Sequence, residues 1–380
     1  MRVYAGTCML LLAALLRVSS AMGAEPVNIA AIFAETGEAV QTSEGVQYEL
    51  LGTRQAVDDL NRKGGLLGRR IQLLEYDNRS TALGSREAAA QAVKDGVIAV
   101  IGSSWSSLSL AMAPVFQSAH IPMITPISTS PEVTLVGDYI FRVCFIDPFQ
   151  GQVMAEYARQ DLHARSAVVL TNTGESYCMG LARYFILHFK RSGGEILWEG
   201  NYHATATDFT AQLKKTKGLS PDVIFVPGMT RDSSYIIKQA RKMGIKTVFL
   251  GGDGWGTHMY TYAGNVIEGN YFCTHWHPQS TREKSRRFLK EAREAFGPDI
   301  NPPFVLSYDA VMLLADAVKR ADSLEPERIR DALAATRNFQ GITGDITFDR
   351  DRNPSGKEAV IVKFHNGSVV YVKTIKPRGE

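Results

Sequence analysis

The chain has 380 residues, of which 45% are hydrophobic and 21% are charged. At roughly 100–200 residues per domain, this length predicts two or three domains, and the composition excludes a protein that is disordered or fibrous over most of its length. The first 24 residues hold two arginines and no acidic residue, so the rest carries 40 basic against 39 acidic residues. A nearly neutral body offers no basic face for nucleic acid and no polybasic segment for a membrane surface.

The first 24 residues have the pattern of a secretory signal peptide. Arg2 supplies the positive start, residues 9–16 form an apolar run, and small residues follow at Ser19, Ala21 and Ala24. Cleavage is predicted after Ala21 or after Ala24. The alternative, a membrane anchor, is disfavoured because the run is shorter than the roughly 20 residues that a membrane-spanning helix needs. We therefore expect an exported, soluble mature protein.

Cysteine and histidine spacing gives no metal signature. One cysteine lies in the predicted signal peptide, which leaves Cys144, Cys178 and Cys273 on distant segments. They allow at most one disulfide, and three free buried thiols are the alternative. There is no C-x-x-C pair, and His275 and His277 have no third ligand close by in sequence, so we expect neither a metal nor a cofactor.

Strand and helix patterns alternate along the rest of the chain. Apolar runs typical of buried strands are separated by segments with helical periodicity. The first series of strands covers 27–33, 71–76, 97–101 and 121–125, and the second covers 166–170, 195–202, 222–226 and 247–250. Units of this length predict parallel sheets with helices on both faces. We predict an α/β fold with two doubly wound lobes of about four strands each.

The C-terminal part differs from this alternation. Helices are predicted over 281–296, 304–321 and 326–336, followed by a hairpin whose turn is Asn366-Gly367. No linker rich in Pro, Gly or Ser separates the lobes. We therefore expect the chain to cross between them more than once and the lobes to hinge about a cleft.

Polar loops follow four of the predicted strands, where ligands of open parallel sheets bind. Those at 102–107 and 171–177 lead into helix starts, whose N–H groups suit a carboxylate, and the others are 125–130 and 251–255. The candidate ligand-binding residues are Ser106 and Thr129 as hydroxyl donors, Asp253 as acceptor for an ammonium group, and Trp105 and Tyr177 as aromatic walls. Each has a structural alternative: the hydroxyls as helix caps, Asp253 as a turn residue and Trp105 as core beneath its loop.

Five further segments carry a family pattern. They are 63–71 (KGGLLGRRI), 99–103 (AVIGS), 121–126 (IPMITP), 239–246 (QARKMGIK) and 341–349 (GITGDITFD). Together with the alternation, they resemble the leucine/isoleucine/valine-binding family of ABC-transporter periplasmic binding proteins, which has the type I fold. The resemblance covers essentially the whole mature chain.

The resemblance implies roles for individual residues. Ser106, Ser128 and Thr129 would hold the α-carboxylate of an amino acid, Tyr177 would close over it from the second lobe, and Asp253 would take the α-ammonium. Hinge strands would fall near residues 145, 276 and 356. The first lobe would then comprise 25–145 plus 277–355, and the second 146–276 plus 356–380.

Two departures from the family pattern affect the pocket. The family's first-lobe disulfide is absent, because Ser80 and Trp105 stand where its cysteines would be. Met229 replaces an aromatic residue that often lines the pocket in that family. Trp105 and Met229 are therefore further candidate ligand-binding residues, and they change the shape that selects the side chain.

These observations predict a periplasmic solute-binding protein. It would act as a monomer that captures an amino acid, branched-chain or otherwise apolar or aromatic, and delivers it to the membrane permease of an ABC transporter without catalysis. The alternative on the same fold is a transport or sensor protein for an amide, urea or an aromatic carboxylic acid. The alternative from another class is an exported hydrolase of two α/β lobes, for which no Gly-x-Ser-x-Gly motif is found.

Overall fold

Two large β-sheets organise the molecule, and helices cover both faces of each. The structure is a computed structural model that describes residues 25–38, 40, 46–203, 205–296 and 300–377. The signal peptide predicted for residues 1–24 lies outside the described residues. The predicted α/β architecture with two doubly wound lobes is confirmed.

The first sheet has five parallel strands in the order β2-β1-β3-β4-β5. Its strands are β1 (Val27–Phe33), β2 (Ile71–Asp77), β3 (Ala99–Gly102), β4 (Met123–Thr125) and β5 (Ile140–Arg142). Helices α1 (Val46–Arg62), α2 (Ala82–Lys94), α3 (Ser106–Ala119) and α4 (Glu132–Leu135) follow the first four strands in turn. All residues of β1 except Asn28 are buried, because helices cover this central strand on both faces.

The second sheet has seven strands in the order β15-β14-β10-β9-β8-β6-β7. Five of them are parallel: β6 (Ser166–Asn172), β7 (Glu195–Tyr202), β8 (Val223–Phe225), β9 (Val248–Gly251) and β10 (Tyr271–Thr274). The helices are α5 (Asp147–Gln160), α6 (Ser176–Arg191), α7 (Thr210–Leu219), α8 (Thr230–Lys242) and α9 (Met259–Ala263), with a 3₁₀ helix at Gly264–Ile267. An antiparallel hairpin completes the sheet beside β10.

The C-terminal region serves both lobes. The three predicted helices are present as α10 (Glu283–Phe296), α11 (Pro302–Ala321) and α12 (Pro326–Ala334), and α11 and α12 share an apolar cluster with β1 and α1 of the first lobe. A small unpredicted sheet follows, formed by β11 (Phe339–Gln340), β12 (Asp345–Phe348) and β13 (Pro354–Ser355). The predicted hairpin is β14 (Ala359–His365) and β15 (Ser368–Ile375). Its turn residues Asn366 and Gly367 have φ of 52° and 74°, as a type I′ turn requires.

The chain passes between the lobes three times. It leaves the first lobe after Arg142, returns to the first lobe after Thr274 and enters the second lobe again after Ser355. These points lie near the hinge positions that the resemblance implied. The lobe boundaries given above stay a prediction, and every strand of the two large sheets lies on the side that this prediction assigns to it.

The prediction of about four strands per lobe was wrong, since the sheets have five and seven. Strands β5 and β10 were missed because they follow helices of only four and five residues, so the alternation that indicated the other strands is not visible there. Helix α5 was also missed, because Gly151 interrupts its pattern. A Cβ at Gly151 would lie 2.6 Å from Cβ of Tyr184, so the glycine permits close packing of α5 on α6.

Three further sequence inferences can be compared with the structure. Cys144, Cys178 and Cys273 are buried and free, so the alternative of three thiols holds. Among the described residues, no group of His, Cys, Asp and Glu has the arrangement of a metal site. No described helix is both long enough and apolar enough to cross a membrane.

Candidate ligand-binding site

The loops that follow β3, β4, β6 and β9 come from both lobes and meet at the cleft. Helix α3 begins at Ser106 on one side, and α6 begins at Ser176 on the other. Across the cleft, the Glu175 carboxylate accepts hydrogen bonds from the N–H of Ser107 at 3.2 Å and from its hydroxyl at 2.6 Å. The predicted polar loops of the two lobes are therefore in direct contact.

On the first-lobe side, the hydroxyls lie within a network of main-chain groups. Ser106 Oγ accepts from the N–H of Ser130 at 3.2 Å. Ser128 Oγ lies 3.0 Å from the carbonyl oxygens of Ser103 and Ser104 and 2.8 Å from Ser109 Oγ. Ser106 and Ser128 thus hold the loops after β3 and β4 together, a role that differs from the helix capping considered for Ser106.

Thr129 lies where the first lobe meets the hinge. Its carbonyl accepts from the N–H of Asp147, the first residue of α5, at 3.0 Å. Burial raises the pKa of Asp147 well above its usual range, and the neighbouring Thr129 hydroxyl acts in the opposite direction. Thr129 therefore joins the loop after β4 to the first crossing between the lobes.

Trp105 spans the cleft. It is the N-cap residue of α3, is half-buried and packs against Ala34 of its own lobe. It also packs against the apolar cluster of the second lobe that contains Tyr177 and Met229. The indole ring is thus in contact with both lobes, which differs from a core position beneath its own loop.

On the second-lobe side, Tyr177 and Met229 enclose the glycine-rich loop after β9. Tyr177 Oη accepts from the N–H of Gly254 at 3.1 Å. A Cβ at Gly254 would lie 2.8 Å from the Gly228 carbonyl oxygen and 3.3 Å from Met229 Sδ. The loop therefore needs glycine for close packing, and a side chain at this position would push Tyr177 and Met229 apart.

Asp253 lies at the centre of a buried network of side chains. Its Oδ1 accepts from Gln150 Nε2 at 2.9 Å, and its Oδ2 lies 2.8 Å from His275 Nε2. Gln150 Oε1 in turn accepts from the Asp253 N–H at 2.7 Å, and the His275 ring lies 3.8 Å from the ring of Phe145. A carboxylate can accept about four hydrogen bonds, so Asp253 keeps acceptor capacity for a ligand.

A cavity of about 630 Å³ adjoins Asp253 between the lobes. Its walls include Tyr48, Ile127 and Pro302 from the first lobe and Trp255 and Trp276 from the second lobe and the hinge. This volume is within the usual range for small-molecule sites, about 300–1,000 Å³. Of the seven candidate ligand-binding residues, Asp253 lines this cavity and the other six do not.

Sequence reasoning missed several residues of this region. Gln150 gave no signal because the helix that carries it was not predicted. His275 was considered only as a metal ligand, whereas it pairs with Asp253. Ser107 and Glu175 belong to the two loops that were recognised, but the contact between them depends on the arrangement of the lobes.

The comparisons with known proteins identify the family. Residues 26–368 match the sequence profile of the periplasmic binding protein family. The chain belongs to this family. The leucine-specific-binding protein of Salmonella typhimurium is 28% identical over 362 residues, which are 94% of this chain and 96% of that protein.

Solved structures of family members agree with this assignment. The leucine binding protein LivK from Thermotoga maritima is 35% identical, with a TM-score of 0.88 over 92% of this chain and 99% of that one. The branched-chain amino acid transporter substrate binding protein LivJ from Streptococcus pneumoniae, in complex with isoleucine, is 31% identical, with a TM-score of 0.86 over 93% of this chain and 100% of that one. The predicted resemblance to the leucine/isoleucine/valine-binding family and the type I fold are confirmed.

Proposed function

We propose that this family member captures a branched-chain or other apolar amino acid between its lobes and delivers it to the membrane permease of an ABC transporter. The observation that carries the proposal is the pairing of unlike groups across one cleft. The first lobe presents the start of α3 with Ser106 and Thr129, and the second presents the buried carboxylate of Asp253. An amino acid zwitterion has the complementary charges.

The carboxylate of the ligand would lie at the start of α3. The first N–H groups of a helix have no partner within the helix, and the helix dipole places partial positive charge there. In α3 the N–H of Ser107 already donates to Glu175, so the ligand carboxylate would lie beside Ser106 and not on Ser107. The hydroxyls of Ser106, Ser128 and Thr129 stand beside that helix start, and Ser128 mainly fixes the loops. This half of the site would recognise any small carboxylate.

The second lobe would bind the amino group, and residues of both lobes would contact the side chain. Asp253 would accept from the ammonium, with Gln150 and His275 holding its carboxylate in place. Trp105, Tyr177 and Met229 would contact an apolar side chain. The relatives named for leucine and the structure solved with isoleucine support this ligand class.

One observation favours the second candidate, an aromatic carboxylic acid or an amide. Both oxygens of Asp253 already have a protein partner, so a ligand without an amino group would not leave this buried carboxylate unsatisfied. Such a ligand would still contact the start of α3 and the aromatic walls. The amino group of the ligand therefore distinguishes the two candidates.

Calorimetry with a matched pair of ligands tests the proposal. L-leucine and 4-methylpentanoate differ only in the α-amino group, so the pair isolates the contribution of the ammonium. We expect the purified mature protein to bind L-leucine at least about ten times more tightly, because a charge-assisted hydrogen bond contributes roughly 1.5–3 kcal/mol. Equal affinity would favour the second candidate, and binding of neither would contradict capture of a branched-chain amino acid.

We propose the cellular setting on the same grounds. Export by the predicted signal peptide would place the mature protein in the periplasm, where it would act as a monomer. Binding with no turnover of esters or amides would also separate this function from that of an exported hydrolase.

A further inference from the structure

We propose that Glu175 is an interlobe latch: its carboxylate caps helix α3 from the opposite lobe and thereby sets how firmly the cleft holds its ligand, without touching the ligand. This inference rests on the proposed function, because the latch is assigned to ligand retention. Glu175 is thus a positioning residue that acts through the closure of the lobes.

The contact has the geometry of a helix cap. The N-cap residue of α3, Trp105, provides no capping hydrogen bond from its side chain. Glu175 supplies one instead, since its carboxylate accepts from the N–H of Ser107, the second residue of the helix, and from the Ser107 hydroxyl. Caps usually come from the residue that precedes the helix, whereas this one comes from a residue 68 positions further along the chain, in the other lobe.

Charge and burial favour a role in closure. A carboxylate at a helix start interacts favourably with the helix dipole, and this interaction strengthens where water is excluded. Glu175 is 5% exposed. Burial raises the pKa of Glu175, and the bonds from Ser107 act in the opposite direction. Because its partners lie in the other lobe, both hydrogen bonds must break when the lobes separate.

A second interlobe contact provides an internal comparison. Arg231 Nη2 lies 2.9 Å from Glu38 Oε1, and the two side chains are 25% and 40% exposed. Exposed ion pairs contribute little, because water and salt screen them. The contact of Glu175, which is 5% exposed, should therefore matter more for closure than the partly exposed contact of Glu38.

The latch should act on dissociation. The lobes close after the ligand has met one of them, so contacts present only in the closed form slow its release more than they speed its capture. If the latch is absent, a smaller fraction of the protein is closed, and the apparent affinity falls by the same factor. Loss of hydrogen bonds to a charged group corresponds to about a ten-fold change or more.

The first experiment measures L-leucine binding kinetics by stopped flow for Glu175→Ala, Ser107→Ala and the double variant, with Glu38→Gln as matched control. We expect Glu175→Ala to speed dissociation about ten-fold or more and to change association less than about two-fold. Ser107→Ala keeps the N–H and should have a smaller effect. The double variant should resemble Glu175→Ala alone, because the two residues act through one contact.

The second experiment measures the lobe distance without any ligand. Dyes attached at Lys94→Cys and Lys214→Cys report the distance by single-molecule Förster resonance energy transfer; both positions are exposed, and they lie in different lobes. The native thiols are buried, so the dyes are directed to the introduced cysteines. Glu175→Ala should shift the population towards larger separation, and Glu38→Gln should not. This measurement needs no ligand, so it tests the latch even if L-leucine does not bind. Failure of L-leucine to bind would contradict only the proposed function.

Three results would overturn the latch. Dissociation and lobe distances of Glu175→Ala that match those of the unaltered protein would show that the contact does not affect closure. Additive effects of Glu175→Ala and Ser107→Ala would show that they act separately. If both single variants melt at a lower temperature without ligand, and the lost free energy of unfolding equals the lost free energy of binding, the role of Glu175 would be in folding.

Discussion

On the first-lobe side of the cleft, the candidate hydroxyls are held by main-chain groups, whereas on the second-lobe side the candidate carboxylate is held by other side chains. Ser106 and Ser128 bond to the backbone of neighbouring loops. Asp253 is fixed by Gln150 and His275. The first side therefore suits the carboxylate that both candidate ligand classes can carry, and the second suits the amino group that distinguishes an amino acid from a plain carboxylic acid.

The largest effect is expected at Asp253. Asp253→Ala removes the acceptor for the ammonium, and we expect L-leucine affinity to fall about ten-fold to a hundred-fold or more in calorimetry. Asp253→Asn is the matched control for shape, since it keeps the size and removes the charge. If Asp253→Ala binds L-leucine as tightly as the unaltered protein, Asp253 does not belong to the site.

Trp105 should show an intermediate effect that depends on ligand size. Its ring contacts both lobes, so Trp105→Ala removes apolar area that a large side chain would cover. We expect affinity for leucine and phenylalanine to fall about ten-fold, and affinity for alanine or glycine to fall less. Equal losses across the series, with a lower melting temperature in the absence of ligand, would show that Trp105 is core.

Ser128 should affect stability more than ligand choice. Ser128→Ala removes the hydroxyl that lies between the carbonyls of Ser103 and Ser104, and we expect the free energy of unfolding in urea to fall by about 1–3 kcal/mol. Thr129→Ser is the conservative comparison in the same loop. Unchanged stability together with a large loss of affinity would place the Ser128 hydroxyl on the ligand instead.

A pH dependence of stability should arise from Glu49, which contacts the first-lobe loop and not the ligand. Glu49 is buried and accepts a hydrogen bond from Ser104 Oγ, and burial raises its pKa to about 8 from an ordinary value of 4.5. A raised pKa in the folded state gives stability that is present below the ordinary pKa and is lost as pH rises through the folded pKa. Stability should therefore decline between about pH 4.5 and pH 8.

Glu49→Gln should flatten this decline, because glutamine mimics the protonated acid and does not ionise. The measurement is urea unfolding at several pH values, with the exposed Glu294→Gln as matched control. An identical pH profile for Glu49→Gln and the unaltered protein would remove Glu49 as its source.

The alternation of strands and helices, the C-terminal helices and the hairpin turn at Asn366 could be predicted from the sequence, because each depends on local periodicity or turn chemistry. The sequence was insufficient for β5 and β10, which follow very short helices and are positioned by pairing with β4 and β9. For the candidate site, the order of the strands along the chain indicated which loops would form it, but not which side chains would contact each other. The contacts of Glu175 with Ser107 and of Asp253 with Gln150 join residues 68 and 103 positions apart.

Small-angle X-ray scattering of the purified mature protein, with and without saturating L-leucine, tests the central claim most directly. A ligand that touches Ser106 and Thr129 on one lobe and Tyr177 and Asp253 on the other stabilises the closed form, since only that form makes both sets of contacts. The account predicts a smaller radius of gyration with L-leucine. An unchanged scattering curve, under conditions where calorimetry shows the site to be filled, would contradict capture by closure of the two lobes.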